Sequence, residues 1–244
     1  MSLKHLLLGM GFLASSVAFA QPLEIDAPVD KIFIPQGFDD NDNVEVVAHG
    51  DFMNGCYRVG KSDSFVDEDA KRITIEVSAY RYQHEKDQDA VCMQVMTPFI
   101  QKVKVGVLKA GTYTVSVKGA GEAVEETLTI VRRKTEDPDD FLYAPVENAY
   151  LKVDDRGKQS LLLQGTYPHW LVGCQKIKEV RVNRNPSDVM VVLPITEVSE
   201  DNCQDYSFNF SHRVNLPEPF MQEGLLHVRV MNGASTNTYL PGYF

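Results

Sequence analysis

One frame is written twice in this chain. From Cys92 the sequence runs C-x6-F-x3-V-x-[VL] through Phe99, Val103 and Val105, and from Cys203 it repeats without a gap through Phe210, Val214 and Leu216. Upstream, Val46-x-Ala48-x-Gly50-x-Phe52 leads to Cys56, as Leu161-x-Leu163-x-Gly165-x-Tyr167 leads to Cys174. Downstream, Gly111-x-Tyr113-x-Val115-x-Val117 answers to Gly224-x-Leu226-x-Val228-x-Val230, and Gly119 and Gly233 follow. An ordered series of this kind predicts two copies of one folding unit. Its period of two makes that unit a sheet, because alternate side chains of a strand point to opposite faces.

The same period runs through most of the chain. Ile73, Ile75, Val77 and Ala79 alternate with Thr74, Glu76, Ser78 and Tyr80, and β-branched residues dominate such runs. Turn chemistry separates them at 39–43, 85–89, 109–111, 119–121 and 183–188. The pattern predicts strands near 31–35, 44–52, 56–60, 72–82, 90–96, 100–106, 112–118 and 123–132 in the first half. In the second half it predicts strands near 149–154, 159–167, 175–183, 189–196, 205–216, 225–232 and 235–240. Short strands at this spacing indicate β-sandwiches. The expected organisation is a first domain over 21–133, a charged linker over 134–140 carrying Pro138, and a second domain over 141–244.

Residues 1–20 read as a signal peptide: Lys4 and His5, an apolar stretch through Leu13, then Ala18-Phe19-Ala20 as a small-residue cleavage site. A periplasmic or secreted protein is therefore expected, with no membrane span. The terminal Thr238-Tyr239-Leu240-Pro241-Gly242-Tyr243-Phe244 does not make an outer-membrane barrel, since Pro241 interrupts it and no ten-residue lipid-facing band precedes it. Without Lys4 the chain holds 23 basic and 34 acidic residues, a net charge of −11. That charge excludes nucleic-acid binding, which requires a basic field, and docking on anionic lipid.

Cys56, Cys92, Cys174 and Cys203 make an even set in an exported chain, which favours disulfides. Four cysteines allow three pairings, and the repeat favours Cys56–Cys92 and Cys174–Cys203, one bridge per unit. Each would contribute roughly 3–4 kcal/mol.

Candidate chemistry is sparse. Asp39, Asn41 and Asn43 match the first three ligand positions of a calcium loop, but Val44 and Gly50 stand where glycine and glutamate are needed. A solvated turn is the expected role there, and no metal or cofactor is expected elsewhere. The acidic runs 67–69 and 136–140 read as loops. No histidine pair has ligand spacing and no G-x-S-x-G elbow occurs; a triad assembled from distant positions stays open. The aromatic cluster Tyr167-Pro168-His169-Trp170 is the candidate binding platform for a sugar or peptide. Its alternative role is packing, with Trp170 beside the disulfide or between the units.

In strand count and module size the chain resembles the immunoglobulin-like sandwich class. Leu108-Lys109-Ala110-Gly111-Thr112-Tyr113-Thr114-Val115-Ser116-Val117 is similar to the late-strand segment of bacterial immunoglobulin-like domains. The whole mature chain resembles uncharacterised exported bacterial proteins with tandem modules of this type. It departs from antibody domains in its short Cys spacing and in lacking a Trp after the first Cys. The resemblance implies adhesion, assembly or ligand binding, and no one of these in particular. The expectation is a non-catalytic binding or interaction protein whose partner is a protein or glycan in the cell envelope or outside the cell. The alternatives are an envelope spacer and a hydrolase with a site between the domains.

Overall fold

The computed structural model describes residues 22–82, 92–121, 123–168, 175–185, 188–198, 208–216, 219–220 and 223–242. All regular structure among them is strand. No helix there is long and apolar enough to cross a membrane.

The first module holds β1 (Leu23–Asp26), β2 (Val29–Phe33), β3 (Phe38–Asp39), β4 (Val44–Phe52), β5 (Tyr57–Asp67), β6 (Arg72–Arg81), β7 (Thr97–Gly106), β8 (Gly111–Lys118) and β9 (Val124–Val131). One sheet is β2-β4-β7; the facing sheet runs β5-β6-β8-β9, with β1 beside β6 and β3 beside β9. The second module holds β10 (Val146–Val153), β11 (Gln159–Tyr167), β12 (Gln175–Arg184), β13 (Val189–Val198), β14 (Phe208–Asn215), β15 (Gly224–Val230) and β16 (Ala234–Leu240). Its sheets are β10-β11-β14 and β12-β13-β15-β16. Apart from the short β1 and β3, which have no counterpart among the described residues of the second module, the two topologies coincide strand for strand. Each has three strands facing four, the seven of an immunoglobulin-type sandwich. Each has the same parallel pair within its four-stranded side, β6 with β8 and β13 with β15; the short β3 adds a second in the first module, parallel to β9. The chain between the paired strands crosses to the opposite sheet through β7 or β14, so a parallel neighbour is the outcome.

The two copies also share the device that closes the sandwich. Ala27-Pro28-Val29 and Ala144-Pro145-Val146 are the same tripeptide. The Ala27 amide donates to Val77 O on the four-stranded side, while Val29 pairs with Gly50 on the other. Likewise Ala144 donates to Pro194 O and Val146 pairs with Gly165. In both, the valine amide returns to the alanine carbonyl at 2.9 Å around the proline. Proline has no N–H to leave unpaired as the chain steps between sheets.

Two cores fill the two sandwiches. Ile75, Tyr113, Val115 and Leu128 lie in the first; Leu161, Leu163, Met190 and Val228 lie in the second. A third cluster joins the modules: Phe33 and Val47 from β2 and β4 meet Val189, Val191 and Leu225 from β13 and β15. Strand β4 is therefore covered on both faces, which is why Val44–Gly50 is an unbroken buried run.

Some expectations differ from the structure: the strand expected over 56–60 extends as far as Asp67, and the short β1 and β3 lie outside every expected strand. Residues 92–96, at the end of the strand expected over 90–96, form no strand. They are held instead by the Cys56–Cys92 disulfide and by a Gly55 N–H donated to Met93 O, and Met93, Val95 and Met96 face solvent. The turn at 39–43 is not solvated at Asp39 and Asp42: both are buried, and Asp42 meets Arg229 of the second module. The segment 134–140, expected as the linker, makes contacts on either side: Asn41 Nδ2 donates to Thr135 O and Asp137 O, and Asp139 Oδ2 accepts from Gly233 N.

Candidate functional site at the module junction

Beside the apolar contact the junction is polar and enclosed. Glu45 stands on β4, and its Oε1 accepts from Ser235 Oγ and, at 3.3 Å, from Asn237 Nδ2, both on β16. Lys102 Nζ on β7 lies 3.7 Å from Glu45 Oε2 and donates to Ser235 O. His227 on β15 places Nδ1 2.8 Å from Asn237 Oδ1 and 3.6 Å from Glu45. The Asn237 amide already donates to Glu45 and Ser235, so its oxygen faces the ring and Nδ1 carries the hydrogen. Burial holds this imidazole neutral and pulls its pKa down to about 4, although the Glu45 charge acts the other way.

Two residues along β15, Arg229 donates to Asp42 Oδ2 at 3.1 Å and to Gly37 O at 2.7 Å, with its guanidinium 4.3 Å over the Phe38 ring. Burial raises the Asp42 pKa, and Arg229 opposes that rise. Asp139 is raised by burial too. On the far side of the apolar contact, His49 Nδ1 lies 3.0 Å from Asp30 Oδ1 and its ring stacks on Tyr239 at 4.4 Å. Lys31 reaches Asp188 at 3.2 Å.

Serine, histidine and glutamate meet here, but in the wrong order for acyl transfer. A relay needs the imidazole between the hydroxyl and the carboxylate. Ser235 gives its proton directly to Glu45, while His227 gives its own to Asn237. The cavity among them measures about 10 Å³, room for about one water molecule and for no substrate. The cluster is an electrostatic clasp between modules.

Next to it the junction opens. A groove of about 420 Å³ is lined by Asn43, Asp137, Asp139, Phe141, Tyr143 and Asn232, among others. Its walls come from the 134–140 segment and the β15–β16 turn. Arg181 packs over the Phe141 ring at 4.9 Å. A volume in the range of small-ligand sites, with amides and carboxylates beside aromatic rings, is suited to a polyhydroxylated ligand.

Of the residues singled out in the sequence, Tyr167 ends β11 inside the second core, its ring 4.8 Å from Phe210. Its hydroxyl has no hydrogen-bond partner among the described residues, and burial pushes its pKa up to about 12. It occupies the place that Phe52 takes beside Phe99 in the first module. His169, Trp170, Cys174 and Cys203 lie outside the described residues. Cys56 and Cys92 are joined, with Cα atoms 5.4 Å apart. The junction residues Glu45, His227 and Arg229 escaped sequence reading because their strand positions alternate with core residues and so read as solvent-facing; Asp42 escaped it because it lies in the acidic turn 39–43. The signal was the continuous apolar run in Val189–Leu193 and the shorter one in Val46–Ala48, a mark of strands covered on both faces.

A family model described as the ORF11 beta-sandwich domain matches residues 46–130, about a third of the chain, from within β4 into β9. The match supports a β-sandwich module there. No curated protein and no solved structure matches the chain.

Proposed function

We propose that this is a non-catalytic, exported binding protein in which two disulfide-stapled sandwich modules, over 21–133 and 141–244, are clasped into one body that presents a ligand site at their junction. The observation that carries this reading is the 420 Å³ groove beside the buried clasp. The clasp fixes the angle between modules, so a site built from both is pre-formed and costs little ordering on binding. The polar residues that resemble catalytic chemistry are consumed in that clasp. The ligand is a glycan of the envelope or exterior: Phe141 offers an apolar face, and Asn43, Asn232 and Asp137 offer hydrogen-bonding groups. Export rests on the leader pattern of residues 1–20 and on the disulfide.

Saturation-transfer NMR with a panel of soluble envelope glycan fragments tests the reading. Contact with at least one fragment is expected, lost in a Phe141→Ala, Asp137→Ala variant that keeps its melting temperature. Transfer that is unchanged in that variant, or absent for the whole panel, refutes it. An envelope spacer is the second reading, and the same clasp favours it, because a spacer needs a fixed angle.

A further inference from the structure

The end of the first module farthest along β4 exposes three methionines. Met53, Met93 and Met96 are 74%, 72% and 67% exposed, while Met190, in the second core, is fully buried. The three belong to one small structure. Phe52 and Thr97 are the last pair of the β4–β7 ladder, and Met53 and Met96 are the next residues outward from it. Met93 reaches the same place from the other side: its carbonyl accepts the Gly55 N–H at 2.9 Å, and its Cβ lies 3.6 Å from where a Gly55 side chain would begin. The Cys56–Cys92 bridge, next in sequence to both Gly55 and Met93, holds the two segments together.

Nothing in the packing accounts for this composition. Exposed apolar side chains give no burial energy, and a polar residue would serve solubility better. What a thioether has and leucine lacks is a soft, polarisable lone pair. The chemistry around it is equally selective. The described residues Met53–Cys56 and Cys92–Thr97 contain no carboxylate, imidazole or amine, and their two cysteines are bonded to each other. Hard cations find only neutral oxygen donors here, of which Asn54 Oδ1 already accepts from Cys56 N, and borderline ones lack imidazole or thiolate.

We propose that Met53, Met93 and Met96 form a thioether site for Cu(I). Soft thioether donors select Cu(I) among biological cations, and three of them on one stapled turn supply a low-coordinate site. Thioethers do not cross-link or protonate in an oxidising compartment, so such a site stays competent where free thiols would pair.

The test is anaerobic titration of the full oxidised chain with Cu(I) itself, held reduced by ascorbate, against a chromophoric Cu(I) chelator. One equivalent is expected, with a three-sulfur first shell by X-ray absorption. Affinity should be flat between about pH 5.5 and 8, because a thioether has no proton to displace, whereas imidazole ligands lose affinity as they protonate. The variant Met53→Leu, Met93→Leu, Met96→Leu should keep its circular dichroism and melting temperature, since these side chains are exposed, and lose roughly 100-fold or more in affinity. Failure to compete with the chelator, affinity that falls with acidification, or binding that survives in the leucine variant overturns the proposal.

Discussion

Phe99 and Gly50 are direct partners across the β4–β7 ladder, and the Phe99 ring lies over the glycine as Phe210 lies over Gly165 in the second module. A Cβ on either glycine would come within 2.9 Å of the ring and would penetrate the carbonyl oxygen of Pro28 or Pro145. The glycine and phenylalanine of the duplicated sequence frame are thus two halves of one contact. The turn through the proline can close onto the sheet only where the opposing residue has no side chain.

Gly50→Ala and Gly165→Ala should therefore each destabilise by roughly 3 kcal/mol, since backbone rather than a movable side chain must yield. Urea unfolding followed by circular dichroism measures this. A cost below about 1 kcal/mol at either position would contradict the contact.

Arg229 and Asp42 are a buried pair, and their value lies in not being separated. Arg229→Met alone should cost roughly 3–5 kcal/mol by leaving the Asp42 carboxylate buried without a cation. The double variant Arg229→Met, Asp42→Leu should recover most of that loss. Denaturant midpoints of the two proteins decide it.

His227 links stability to pH. Its pKa falls from 6.5 unfolded to about 4 folded, so its contribution is complete above pH 6.5 and is lost progressively as pH falls toward 4. The span is worth roughly 3 kcal/mol. Asp42 and Asp139, with raised values, act in the opposite sense and offset part of it. The melting temperature should drop from pH 7 to pH 4.5, and His227→Gln should flatten that slope. An unchanged slope would remove His227 from the account.

Tyr167 carries a buried hydroxyl without a partner among the described residues. Tyr167→Phe should leave stability unchanged or raise it by about 1 kcal/mol, because an unpaired polar group is removed while the ring stays. A loss above 1 kcal/mol in thermal unfolding would show that the hydroxyl is bonded.

The Cys56–Cys92 bridge closes a separation of 36 residues, worth about 4 kcal/mol in chain entropy. Cys56→Ser, Cys92→Ser should lose about that much by urea titration. The bridge expected at Cys174–Cys203 is checked by peptide mapping without reductant. A mixed peptide joining Cys56 to Cys174 would refute one bridge per module.

Much of the fold was legible before any coordinates. Strand 159–167 was placed to the residue, and 175–183 and 112–118 to within one. Period-two alternation and turn residues are local properties of the chain, and a disulfide partner follows from the repeat. Residues 92–96 were misplaced because Met93, Val95 and Met96 are apolar and yet exposed, a state that hydrophobicity alone does not distinguish from burial.

The sequence by itself determined most of the strands, their inward faces, the two copies of one unit and the staple in the first of them. Only the tertiary structure decided that the outer faces of β4 and β15 are covered, turning Glu45, His227 and Arg229 from surface residues into a clasp. The reason is physical: alternation states which side chains share a face, and it is silent on whether water or a second module lies opposite that face.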